Sequence, residues 1–180
     1  MRGKWVRVSS EYRAMLFRLR GVRLGRRPCL EARIELLHRA ECIELADGVS
    51  VETGVKLTVS NLCTEARALV VGTNSFIGRF SQITARQSVS IGANVMIAPF
   101  CYITETNHGM DPGRPMQEQA STWAGIRIED DVWLGNGCTV LPGVTIGKGA
   151  VIGANSVVTH DIPPMAIAVG SPARVIKYRA

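Results

Sequence analysis

The sequence predicts an all-β fold, a parallel β-helix in which short strands wind around a triangular prism, and three observations carry that prediction. Aliphatic residues stand six apart at Ile128, Leu134, Val140, Ile146, Ile152 and Val158. That period matches neither the ~3.6 of an amphipathic helix nor the ~2 of a half-buried strand. Four residues after these anchors come Val132, Cys138, Val144, Ala150, Ser156 and Ile162, mostly small side chains, as the narrow interior of a prism requires. Gly135, Gly147 and Gly153 directly follow three anchors, where a corner calls for φ values closed to larger residues. Together these are the marks of a hexapeptide solenoid.

Taken in order, residues 1–23 form a basic N-terminal segment with a short helix. Residues 1–8 read as a frayed start. Ser9 or Ser10 caps a helix over residues 11–20, with Glu11 in its first turn. Met15, Leu16 and Leu19 give that helix an apolar side, and Gly21 ends it. Such a helix suits the open end of a prism, whose first strands lack partners. The solenoid occupies residues 24–163. It starts in degenerate form at Leu24 and Leu30, sharpens at Leu45, Val51 and Leu57, and lapses over residues 59–68. It resumes at Val71, Ile77, Ile83 and Val89, then slips by two residues to Ile91, Ile97 and Ile103, which implies an enlarged corner. Residues 104–125 carry no period and form an ejected loop. The pattern returns at Ile126 or Ile128, Pro163-Pro164 stops it, and residues 164–180 form a C-terminal tail.

Composition bounds the function. A chain of 180 residues with mean hydropathy +0.12 suits one globular domain, and no apolar run has the length of a membrane span or a signal peptide. The chain reads as cytoplasmic. Five cysteines, widely spaced and with no CxxC pair, support neither a disulfide framework nor a zinc site. Cys101 and Cys138 fall at the small inward position and read as core filler. Residues 1–40 hold 11 Lys and Arg against 3 Asp and Glu. This local excess of eight positive charges suits an anionic membrane surface as a peripheral partner, a solvated basic face, or contacts to a neighbouring subunit. Without any groove-reading or aromatic-interleaved motif, a nucleic-acid partner is not expected.

A long loop ejected from a regular solenoid is where functional residues gather, and this one contains His108 in the run Thr106-Asn107-His108-Gly109-Met110-Asp111. A histidine there suits a general base. The three histidines of the chain, His38, His108 and His160, are too scattered to form a metal centre, so no metal is expected.

The Asn107-His108 loop, the stretch IEDDVWLGNGCTVLPGVTIGKGAVIGANSVVTHDIPP and the closing VGSPARVIKYR resemble the left-handed β-helix acetyltransferases, most closely the branch that O-acetylates galactosides, maltose and surface polysaccharides. The resemblance is good over roughly residues 70–179 and loose before that. It implies a left-handed coil, a homotrimer with active sites between neighbouring prisms, and acetyl-CoA as the acyl donor. It makes His108, beside Asn107, the catalytic base. It puts Trp133 beside the cofactor arm, and the backbone N–H groups near Gly135 and Asn136 at the thioester oxygen. Ala154 and Thr159 match contacts to the pantetheine arm, and Arg174 and Lys177 match cations near the nucleotide phosphates. His160 stands where a lysine is common. Arg86 stands near the place of a sugar-holding carboxylate, which points to a different acceptor, one carrying negative charge.

The reaction implied is direct acetyl transfer from acetyl-CoA to a hydroxyl of a saccharide, with no covalent enzyme intermediate. One alternative is N-acetylation of an amino sugar, for which Glu105 or Asp111 supplies a carboxylate near the nitrogen. Another is a non-catalytic trimeric scaffold.

Overall fold

The computed structural model describes residues 2–180, with side chains described from residue 9 onward. The fold is a left-handed parallel β-helix. Three parallel sheets form its faces. The first face runs from Arg23–Leu24 to Thr145–Ile146, and the third from Glu35–His38 to Val157–Val158. The second starts at Cys29–Leu30 and ends with Ala166–Val169 and the antiparallel Arg174–Tyr178. The anchors point inward. Leu30, Leu45, Val51, Leu57, Val71, Ile77, Ile83, Ile97, Ile103, Leu134, Val140, Ile146, Ile152 and Val158 are fully buried. Each such side chain contributes roughly 1.5–3 kcal/mol of hydrophobic stabilisation.

Register shows where the chain varies in length. Within every coil, successive anchors stay six apart, as in Ile91, Ile97 and Ile103. The return to the first face does not. Arg127 pairs with Thr145 one regular turn later, whereas Ser90 pairs with Arg127 across a far longer excursion. The steps from Leu36 to Leu45, Leu57 to Val71, Ile83 to Ile91 and Ile103 to Ile128 all exceed six residues. All four insertions therefore lie on one edge, between the third and first faces.

The corners correct one sequence reading. Positive φ is not at the glycines that follow the anchors. It falls three residues after the anchors of the first and second faces, at Gly48, Gly54, Asn74, Phe80, Asn94, Phe100, Asp131, Gly137, Gly149 and Asn155. Gly135, Gly147 and Gly153 are glycine for lack of room. A Cβ at Gly135 would stand 2.6 Å from the Ala154 nitrogen of the next coil, and one at Gly147 would stand 2.5 Å from the Pro164 nitrogen.

The helix departs further from expectation. Helix α1 runs Arg2–Leu19, so neither Ser9 nor Ser10 is a cap; Met1 lies outside the described residues. Its end is as read. The N–H of Gly21 (φ +88°) donates to the Arg18 carbonyl and that of Val22 to the Phe17 carbonyl, a Schellman closure. Its orientation is inverted. Ala14 and Phe17 are buried, while Met15, Leu16 and Leu19 face outward. The first coil has no strand before it, and its unpaired backbone groups need partners. Arg18, Arg13 and Arg20 donate to the carbonyls of Gly25, Leu30 and Leu36, in or beside the strands of the first, second and third faces. The Ser10 hydroxyl accepts from Leu30 N–H and donates to the Pro28 carbonyl. Satisfying that edge turns the arginines inward and the apolar stripe outward.

Pro163-Pro164 does not end the solenoid. Ala166–Val169 continues the second face beside Val151–Ile152, and Arg174–Tyr178 folds back along it to close the sheet. Cys101 and Cys138 are buried in the core, and the hydrogen bond with Cys138, together with burial, pushes the Cys101 thiol well above its ordinary range. Among the described residues, no helix is long and apolar enough to cross a membrane.

Candidate functional site

The residues singled out in the sequence fall into two sets on opposite sides of the prism. One set occupies the third–first edge. There the longest insertion rises as a two-stranded antiparallel hairpin, Thr106–His108 against Ser121–Trp123, with His108 paired to Ser121. His108 is exposed. Its N–H donates to the Asn107 side-chain oxygen at 2.9 Å, so Asn107 fixes the backbone that carries the imidazole. The tip is closed by Gln119, which sequence reasoning missed. Its amide nitrogen donates to the carbonyls of Asp111 and Arg114, and its oxygen accepts from Asp111 N–H. Asp111 is exposed and already receives Gly113 N–H.

The root of the hairpin is built from Glu105. Its side chain is fully buried, and its carboxylate accepts the N–H groups of Arg86, Gln87 and Ser88. Those residues form the enlarged corner where the repeat slips, and the carboxylate replaces the coil partners that the extra residues displace. The Glu105 carbonyl also accepts Ala124 N–H at 3.0 Å, on the returning chain. Glu105 thus holds the loop and does not face an acceptor amine. The Arg86 guanidinium lies 3.9 Å from the Trp123 ring centroid, a cation–π contact that braces the hairpin, while its Nε is buried with no hydrogen-bond partner among the described residues. Trp123, unmarked in the sequence reading, was legible only as an aromatic inside an aperiodic segment. Thr159 and His160 lie on this same edge in the last coil, their Oγ1 and Nδ1 2.7 Å apart.

The second set lies on the second face and on its edge with the third. Trp133 is 49% exposed and stands in an outward row. In register, the row reads Phe76, Met96, Trp133, Val151, Ile167 and Lys177. With neighbouring strands ~4.8 Å apart, Lys177 stands roughly 14 Å along the sheet from Trp133. Arg174 is at the other end of the same last strand, exposed and paired with Val169.

At five corners the N–H two residues after the anchor is capped by a carboxylate from the adjoining coil: Arg26 donates to Asp47, Thr53 to Glu31, Arg79 to Glu52, Ala93 to Asp130 and Lys148 to Glu129. Asn136 and Ala154 occupy the equivalent positions, and among the described residues their N–H groups have no acceptor. Two open donors beside an exposed indole suit a ligand with carbonyl or amide groups. Gly135 cannot share that role, because its N–H donates to the Ile152 carbonyl at 2.8 Å. In the two coils that precede Asn136, Phe80 and Phe100 stack at 5.4 Å, each about half exposed. Among the described residues no three His, Cys, Asp or Glu side chains converge as a metal group would need.

Residues 125–160 match the family model of the bacterial transferase hexapeptide, six repeats. A hexapeptide-repeat acetyltransferase from Vibrio cholerae superposes with a TM-score of 0.65 at 26% identity, covering 94% of this chain and 80% of that one. The chain belongs to the hexapeptide-repeat transferase family. A probable acetyltransferase of Mycobacterium tuberculosis is 35% identical over 147 residues, 81% of this chain and 48% of the relative. Galactoside O-acetyltransferase of Escherichia coli is 38% identical over 107 residues, 59% of this chain and 52% of the relative. This chain spans about half the length of these curated relatives. An N-acyltransferase from Bacillus cereus superposes with a TM-score of 0.78 over 93% of this chain and 88% of that one. Its 19% identity speaks to the fold alone.

Proposed function

We propose that this protein is an acetyl-CoA-dependent O-acetyltransferase acting on a saccharide hydroxyl, working as a homotrimer with each active site shared by two copies. The observation that carries this reading is the separation of the two sets. His108 stands on the edge opposite the face that carries Trp133, so one prism cannot bring the base to the cofactor row. The hairpin of one copy laid across the second face of a neighbour joins them. The donor fits that face. Asn136 and Ala154 offer open N–H groups to pantetheine amides, Trp133 and the apolar row cover its arm, and Arg174 and Lys177 supply cations for its phosphates.

In the reaction, His108 takes the proton from the acceptor hydroxyl. The hydroxyl oxygen bonds to the acetyl carbonyl carbon, the carbon–sulfur bond breaks, and the proton passes to the departing thiolate. The Asn136 N–H is the oxyanion donor this reading requires. O-transfer is favoured over N-transfer because Glu105 is committed to the hairpin root, leaving only exposed Asp111 as a carboxylate for an amine. Dependence on acetyl-CoA implies a cytoplasmic location.

The experiment is thiol release from acetyl-CoA with a panel of saccharides. His108→Ala is expected to lower turnover by ~10²–10⁴-fold with KM for acetyl-CoA unchanged. Mixing His108→Ala chains with Trp133→Ala chains is expected to restore part of the activity, because some shared sites then receive both intact residues. Near-normal turnover in His108→Ala removes the base, and failure of mixing to rescue removes the shared site.

A further inference from the structure

The acetyl-transfer chemistry gives no use to the outer face of helix α1. Tyr12, Met15, Leu16 and Leu19 are 61%, 50%, 39% and 75% exposed. Their spacing puts them in one stripe on the helix. An ordinary surface helix turns such a stripe to the core; here it is turned away, and contiguous exposed apolar surface marks a contact site. The helix caps carbonyls at all three faces of the first coil, so it lies across the end of the prism and its outer side looks along the prism axis. Around it the surface is cationic. Arg23, Arg27 and Arg33 are exposed there, Arg26 is exposed but paired with Asp47, and Glu11 is the one acid on the helix.

Two occupants suit an apolar stripe on such an end, a second prism and a lipid surface. Stacking two copies end to end would press two cationic ends against each other, and like charges at that separation repel. An anionic bilayer satisfies both features, taking the apolar side chains at the headgroup boundary and the arginines on lipid phosphates. We propose that the helix-capped end of the solenoid docks on an anionic phospholipid surface. The prism axis then stands away from the bilayer, and parallel copies in a trimer present their caps together.

The test uses the full chain and vesicles of phosphatidylcholine with or without phosphatidylglycerol, read by co-sedimentation. Wild type is expected on the anionic vesicles only, with binding that weakens as salt rises. Leu16→Glu/Leu19→Glu alters two exposed positions and is expected to bind at least tenfold more weakly. Arg27→Gln/Arg33→Gln leaves the helix untouched and is expected to lose roughly 25-fold, from about fivefold per arginine. Absence of wild-type binding, equal binding to neutral vesicles, or unchanged binding in both variants overturns the proposal. So does a solution mass that halves in Leu16→Glu/Leu19→Glu, which would show a second copy on that face. None of these readings depends on acetyl transfer.

Discussion

Replacing Glu105 by Gln tests how the hairpin that carries His108 is anchored. The wild-type carboxylate accepts three backbone N–H groups from residues 86, 87 and 88. Gln keeps one oxygen, which still serves two of those donors, but its NH₂ meets the Ser88 N–H donor to donor. Hydrogen bonds to a charged acceptor are worth roughly 1.5–3 kcal/mol each. Arg86 and Gln87 are half-buried and Ser88 is exposed, so water recovers part of each loss. The expected cost is about 2 kcal/mol for Glu105→Gln and about 4 kcal/mol for Glu105→Ala, which retains no acceptor. For a chain of this size, about 2–4 °C per kcal/mol converts these to a fall in Tm of ~4–8 °C and ~8–16 °C. Scanning calorimetry reads both values. In the thiol-release assay the same variants should lower kcat, because His108 sits three residues beyond the anchor, while KM for acetyl-CoA stays put. If both variants melt within about 2 °C of wild type, the carboxylate does not organise the corner and the argument for a fixed hairpin root fails.

Two further predictions concern the coil itself. Gly135→Ala places a Cβ against the backbone of the next coil and should cost ~1–3 kcal/mol, whereas Gly113→Ala, which meets only the Asp111 side chain at 3.3 Å, should be close to neutral; urea midpoints separate them. Asp47 accepts from the N–H and Nε of Arg26, and these bonds hold its carboxyl below the usual range. Its stabilisation is present above the ordinary carboxylate range and is lost as pH falls through the lowered value. The Tm gap between wild type and Asp47→Asn should therefore be widest near neutrality and close on acidification.

The solenoid was legible because its core obeys a strict spacing, and a six-residue period has few competing explanations. The phase of the corners was not. Glycines after the anchors drew attention, yet the strained position three residues on is filled by Gly, Asn, Asp and even Phe, so composition there carries no single signal. The helix was misread for a different reason. Periodicity shows that Met15, Leu16 and Leu19 share a side, but only the unpaired carbonyls of the first coil decide that Arg13, Arg18 and Arg20 take the inner one. His108 stands out by its loop and Trp133 by a motif. Glu105 was assigned to substrate because a lone charged residue near a loop does not reveal whether backbone already claims it.

Confining every length change to one edge has a practical consequence. The faces keep their pairing whatever protrudes there, so the ladder tolerates exchange of the protrusion as a cassette. Chimaeras that keep Glu105 and Ala124 and carry a relative's excursion between them should still wind correctly, and acceptor preference should travel with the graft. Under the proposed acetyl-transfer reading, that would separate the part of the molecule that selects what is modified from the part that grips the donor.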